Sequence, residues 1–143
     1  MIFTNERALI DLFLSRLGDN DSPWSSPQVA TEFNYQRGRT DVVLTYQDSV
    51  IAIEAKLEDW RTAMHQAFRN RCFAHQSYVL LPKHIAVRAH CYSGEFDRRQ
   101  VGICYLDDNK TIVVLHAAIA SEPIEHWLCT RAKKHIETCG VVA

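Results

Sequence analysis

The stretch Arg39-Thr40-Asp41-Val42-Val43-Leu44-Thr45-Tyr46-Gln47-Asp48-Ser49-Val50-Ile51-Ala52-Ile53-Glu54-Ala55-Lys56 decides how the rest of the chain is read. Two apolar, β-branched runs, Val42-Val43-Leu44 and Val50-Ile51-Ala52-Ile53, flank the polar turn Gln47-Asp48-Ser49. That is the pattern of a β-hairpin. Asp41 begins its first strand, and Glu54 and Lys56 close its second. Side chains alternate across a strand, so Glu54 and Lys56 share one face while Ile51, Ile53, Ala55 and Leu57 occupy the other. The antiparallel return is expected to bring Asp41 beside Glu54. Two carboxylates and an ammonium then converge at one end of a sheet, which suits a hard divalent cation such as Mg²⁺, a taker of oxygen ligands that keeps several waters. The competing reading is a solvated pair of strand-end charges that contributes little. The apolar run up to Glu54 and the helical pattern after it weigh against that, because they set the charges where the sheet meets its covering layer.

Asp41, followed by Glu54-Ala55-Lys56 at the end of the next strand, resembles the PD-(D/E)xK nuclease superfamily with its restriction-endonuclease-like fold. That family carries an acidic residue on one strand and an acidic-x-Lys triplet on the next. Thr40 stands where the family name has proline. The triplet is short, so its specificity comes from the order of elements around it, over the region from Asn5 to Pro82. The resemblance implies an α/β fold with an αβββαβ core, a central mixed sheet flanked by helices, and extra C-terminal strands and a helix. It also implies Mg²⁺, with Mn²⁺ as a substitute, held by Asp41, Glu54 and the main-chain carbonyl of Ala55, with Glu6 joining directly or through water. The reaction implied is hydrolysis of a nucleic-acid phosphodiester, DNA ahead of RNA, with Lys56 orienting the attacking water.

The chain has 143 residues, a length that suits one domain with a sizeable core. It divides into a core over residues 4–82 and a C-terminal elaboration over 83–143. Hydrophobic residues make up 47% and the net charge is −1, so any nucleic-acid surface has to be a local patch with salt-sensitive affinity. Cys72, Cys91, Cys104, Cys129 and Cys139 are scattered, without a C-x-x-C pair or a ligand-spaced histidine. The odd count without a leader favours free thiols in a reducing cytoplasm. No apolar run approaches membrane-spanning length.

Thr4 or Asn5 caps a first helix running to Leu17, with Gly18 as its stop. Leu9, Ile10, Phe13, Leu14 and Leu17 form its buried stripe. Glu6 falls on the inward side of that helix, where the plain reading is a first-turn acid favoured by the helix dipole. In the resembled fold a Glu from the first helix often joins the metal site, and Glu6 matches it. Trp24, in a polar loop, reads as a cover for the core edge ahead of a base-stacking residue. Val29 to Arg37 reads as a strand with Phe33 and Tyr35 on one face and Glu32, Asn34 and Gln36 on the other. Gly38 then turns the chain, and Arg37 and Arg39 flank the turn, as phosphate ligands or as ordinary turn charges.

Asp59 caps a helix from Trp60 to Phe73 with Trp60, Ala63, Met64, Ala67 and Phe68 on its apolar side. Gln66 lies at the boundary of that side. Several subfamilies of the resembled superfamily use a Gln here to position water or phosphate, and Asn70 stands where one version has Tyr. His65 reads as a surface residue. Ser77 to Leu81 forms a buried strand pairing parallel with an earlier one. A short helix from Lys83 to Tyr92, a turn at Ser93-Gly94, and strands Val101–Leu106 and Thr111–His116 follow. Asp107-Asp108-Asn109 serve the turn between those strands. A terminal helix opens at Ser121 or Glu122-Pro123 and runs to Thr138. Its Arg131, Lys133, Lys134 and His135 either touch nucleic acid or form a solvated face.

Taken together, the expectation is a Mg²⁺-dependent nuclease whose site comprises Glu6, Asp41, Glu54, Ala55, Lys56 and Gln66. It acts without a membrane, as a possible homodimer, in a setting such as DNA repair, phage defence or restriction. The rivals are a non-catalytic nucleic-acid-binding or assembly module on the same fold, and a Cys/His hydrolase, for which no spacing favours any pair.

Overall fold

The computed structural model describes residues 2–36 and 38–143, so Arg37 lies outside the described residues. Asn5 starts the chain's first helix, its Oδ1 accepting the Ala8 N–H at 2.8 Å, which satisfies one of the helix's open donors. Helix α1 (Glu6–Arg16) buries Leu9, Ile10 and Phe13, Leu17 follows at 0% exposure, and Leu14 is only partly covered.

Three antiparallel strands come next: β1 (Gln28–Tyr35), β2 (Gly38–Tyr46) and β3 (Ser49–Ala55). The β2–β3 hairpin turns on Gln47 and Asp48 alone, with φ of 51° and 67°. A two-residue turn that matches strand twist needs such a positive-φ pair, and Ser49, expected in the turn, already belongs to β3. In β1 the alternation slips at Glu32, whose φ is 56°. Ala30 therefore faces the same core as Phe33 and Tyr35, whereas strict alternation would put it opposite.

Helix α2 (Trp60–Asn70), capped by Asp59, carries the chain from β3 to β4 (Gln76–Leu80). Strands β3 and β4 are parallel, the pairing a crossover helix makes. The order α1-β1-β2-β3-α2-β4 is the expected αβββαβ core. Helices α3 (Lys83–His90) and α4 (Ser93–Arg99) lead to β5 (Val101–Leu106) and β6 (Ile112–His116), then α5 (His126–Cys139) and β7 (Val141–Val142). All strands join one mixed sheet in the order β6-β5-β4-β3-β2-β1-β7. One face packs on α1 and on Trp24, which is 4% exposed and sits edge-on to Phe13 and Tyr78. The other face packs on α5 around Phe33 and Phe73, and on α2, α3 and α4 around Trp60, Leu81 and Phe96.

Three further expectations change. Residues 93–99 form a helix where a turn was expected, because Phe96 is drawn fully into the core and stacks on Trp60. The terminal helix starts at His126: residues 121–125 instead donate N–H groups to the end of α2 and beyond, Ser121 to His75, Ile124 to Arg71 and Glu125 to Cys72. β7 was not foreseen and pairs with the outer edge of β1. The turn reading of Asp107 holds, since its Oδ1 accepts from Asn109 and Thr111 N–H at 2.9 Å each. Among the described residues no helix is long and apolar enough to cross a membrane.

At Gly102 in β5, an added Cβ would lie 2.4 Å from Tyr78 Cε1 and 2.6 Å from Ala118 N. The Tyr78 hydroxyl accepts that same Ala118 N–H at 3.2 Å, so neither neighbour can move without breaking the bond. Gly102→Ala is expected to cost about 1–3 kcal/mol by overpacking, read as a lowered denaturant midpoint.

Candidate active site

The β2–β3 ladder ends at the Val42–Ile53 pair. Beyond it the ladder's place is taken by a side chain: Asp41 Oδ2 accepts the Ala55 N–H at 2.9 Å. The strands part there, and the opening is a polar cavity of about 320 Å³ lined by Glu6, Arg39, Asp41, Glu54, Ala55, Lys56, Gln66 and Arg69. The spacing of Asp41 and Glu54 in the hairpin thus does bring them together.

Glu54 is 2% exposed, which would be costly for a carboxyl group without partners. Its Oε1 accepts from Asn70 Nδ2 at 3.0 Å. Asn70, itself 1% exposed, accepts at Oδ1 from the Tyr35 hydroxyl at 2.6 Å and from Thr40 Oγ1 at 3.1 Å. With the amide oxygen toward two hydroxyl donors and its NH₂ toward a carboxyl, every contact joins donor to acceptor. Burial pushes the Tyr35 phenol up to about 12, so it remains a donor at any working pH.

Burial, reinforced by the Asp41 charge and a hydrogen bond to it, pushes the Glu54 carboxyl up to about 8, against the opposing bond from Asn70 and the more distant Arg69 charge. At neutral pH the pair therefore holds a proton unless some other cation takes its place. The donor set is all oxygen, which fits a hard divalent ion. Among the described residues no three His, Cys, Asp or Glu side chains are grouped to hold a metal by themselves. Two carboxyls, a main-chain carbonyl and waters are what Mg²⁺ accepts in such sites.

Each residue expected at the site lines this cavity. Glu6 is more exposed than its inward placement on α1 implied, at 46% of its side chain, and it meets Lys56 Nζ at 3.9 Å across the mouth. Gln66 reaches the cavity wall from α2, whereas His65 is exposed and outside it. Arg39 extends along the rim, 3.9 Å from Glu32. The basic set on α5 is divided: His135 bonds the Thr31 carbonyl at 3.0 Å, while Arg131 and Lys134 are exposed.

Sequence reasoning missed Asn70, Tyr35, Thr40 and Arg69. Asn70 was visible in principle, because it continues the Trp60, Ala63, Ala67 stripe of α2 with a polar residue where a buried apolar one is due. Arg69 lies over Gly38, whose φ of 153° suits glycine and whose missing Cβ would stand 3.5 Å from the guanidinium.

No family model matches the chain, and no curated protein matches it. Among solved structures it is similar to SfsA of Pyrococcus furiosus in complex with Ca²⁺, with 9% sequence identity and a TM-score of 0.38. The likeness covers 81% of this chain and 62% of that one, so the chain spans less than two thirds of that protein's length.

Asn70→Ala strips the buried Glu54, Tyr35 and Thr40 of a shared partner and is expected to cost about 1–3 kcal/mol in urea unfolding. Glu54 also sets a pH dependence. Its folded value lies above the ordinary 4.5, so between about 4.5 and about 8 the folded state binds the proton more tightly than the unfolded one. Stability from this group is full below that window and lost as pH rises through it. In chelator, the Tm of the wild type is expected to fall across the window relative to Glu54→Gln, whose curve lacks this contribution. Parallel curves would refute the assignment.

Proposed function

We propose that this protein is a metal-dependent nuclease that hydrolyses nucleic-acid phosphodiesters, DNA in preference to RNA. The observation that carries the reading is the buried Glu54 carboxyl set against Asp41 in a cavity that also holds Lys56 and two arginines. A purely structural pair of acids would have no use for an opening lined by cations at the splayed end of two strands.

Asp41, Glu54 and the main-chain carbonyl of Ala55 would hold Mg²⁺ or Mn²⁺, with Glu6 at the mouth as a direct or water-mediated ligand. When bound, such a cation stabilises charge on the phosphorane-like transition state and lowers the pKa of the attacking water. The protein's own groups do the rest. Asp41 is aimed by the Ala55 N–H, and Glu54 by Asn70. Lys56 orients the attacking water and offsets charge developing on the phosphate oxygens. Its contact with Glu6 keeps the ammonium at the mouth until substrate arrives. Arg39 and Arg69 grip the non-bridging oxygens, a role suited to the guanidinium fork, and Gln66 positions the water or the phosphate. The new bond joins water oxygen to phosphorus, the bond to the leaving oxygen breaks, and the proton lost by water ends on the leaving group or in solvent.

The test is cleavage of labelled single-stranded, double-stranded and branched DNA and of RNA, with Mg²⁺, Mn²⁺ or EDTA. Asp41→Ala, Glu54→Ala and Lys56→Ala are each expected to lower cutting by about a hundredfold or more while Mn²⁺ calorimetry shows binding lost only in the two acid variants. Full Mg²⁺-supported activity in Lys56→Ala would overturn the assignment. Absence of both cutting and metal binding in the wild type would favour a docking module on this fold.

A further inference from the structure

Outside the cavity, the most unusual surface lies where α2 ends and the approach to α5 begins. Phe68 on α2 is 42% exposed, and Ile124 and Trp127 are 70% and 53% exposed. Large apolar groups held this far into water stand out when they cluster. Main-chain bonds from Ile124 to Arg71 (3.4 Å) and from Glu125 to Cys72 (2.8 Å) tie the two segments together, so Phe68 and Trp127 stand a few residues to either side of one junction. Each ring carries a guanidinium: Arg71 lies 5.6 Å from the Phe68 centroid and Arg131 lies 5.9 Å from that of Trp127. The end of α2 serves both places: Arg69 lines the cavity and Asn70 holds Glu54 there, while the next carbonyl, that of Arg71, accepts the Ile124 N–H.

We infer that this junction is a stacking platform for unpaired bases of a single nucleic-acid strand leaving the active site. The inference rests on the proposed nuclease reading and narrows it to substrates with a single-stranded segment beside the cut. Aromatic rings accept the face of any base, and arginines follow the backbone. Arg69, Arg71 and Arg131 supply cations here, set against Glu122 and Glu125 in the approach to α5, although the chain as a whole has a net charge of −1. A blunt duplex keeps its bases stacked internally and offers nothing for Phe68 or Trp127 to hold.

Trp127 provides its own readout. The other tryptophans, Trp24 and Trp60, are 4% and 8% exposed, so quenching of tryptophan fluorescence by a strand reports on Trp127. The probe is an oligothymidine of about 20 nucleotides, titrated in EDTA, with a blunt duplex for comparison. The single strand is expected to quench and to bind more tightly than the duplex. Trp127→Ala and Phe68→Ala should each weaken single-strand binding about tenfold, measured by anisotropy, and Trp127→Phe should restore most of it. Arg131→Gln should flatten the salt dependence. Hydrolysis of a small nitrophenyl phosphodiester, which reaches only the cavity, should be unchanged in all four variants.

Unaltered strand affinity in Trp127→Ala, or no strand binding by the wild type, overturns the platform. So does a result in which Trp127→Ala changes only the sedimentation of the protein, for then the surface belongs to a second copy of the chain. Strand binding that depends on Trp127 in a protein that cuts nothing would leave the platform standing and remove the nuclease reading.

Discussion

The hydrogen bond from the Ala55 N–H to Asp41 is where the sheet stops being only a scaffold. An antiparallel ladder that continued past Val42–Ile53 would close the gap between the strands with main-chain bonds. Because a carboxylate takes the donor instead, the strands separate without leaving a buried N–H unpaired. The separation opens the cavity and aims Asp41 into it. Glu54 is brought in by the same geometry, and its burial makes the remaining polar groups necessary. A carboxyl at that depth has to be held by Asn70, Asn70 has to be held by Tyr35 and Thr40, and those residues come from α2, β1 and β2 in turn. The site is therefore fixed by three elements at once.

Much of this was legible in the sequence, and for definite reasons. The β-branched runs and polar turn between Val42 and Ile53 specify a hairpin with little ambiguity, and a hairpin's register places Asp41 beside Glu54. The αβββαβ order followed from helical stripes and caps at Asn5 and Asp59. What escaped was set by distant contacts. Residues 93–99 have weak helical character of their own, and it is Phe96 against Trp60 that shapes them. Residues 121–125 carry the Pro and acids of a helix start, but their N–H groups find acceptors just past the end of α2, at Arg71, Cys72 and His75. Asn70 was noted only as standing where one version of the resembled family has Tyr, because the hydroxyls that satisfy it come from strands 30 and 35 residues earlier.

The electrostatic design follows from the same burial. A pair of acids compressed in a low-dielectric pocket cannot both ionise cheaply. The protein leaves that cost in place at Asp41 and Glu54, instead of relieving it with a buried lysine or arginine. Lys56 lines the same cavity and meets Glu6 across its mouth, and Arg39 and Arg69 also line it. In the function proposed above, the carboxyls would take the divalent cation and the fixed positive charges of the same cavity would meet the phosphates.

The wall behind Tyr35 has a consequence for the order in which the protein can be completed. Tyr35 and Phe33 pack with Phe73 and with Leu128, Cys129, Ala132 and Ile136 of α5. The pairing of β1 with β7 likewise joins Gln28 to Val142. During synthesis the N-terminal elements emerge first, so the residues of the hairpin, α2 and β4 leave the ribosome before those of α5. Until then Tyr35, the donor that holds Asn70, lacks the α5 side chains that pack behind it. α5, which leaves the ribosome after the elements that line the site, backs β1 from behind, and a nascent chain stopped before His126 would carry the residues of the site without that support for Tyr35.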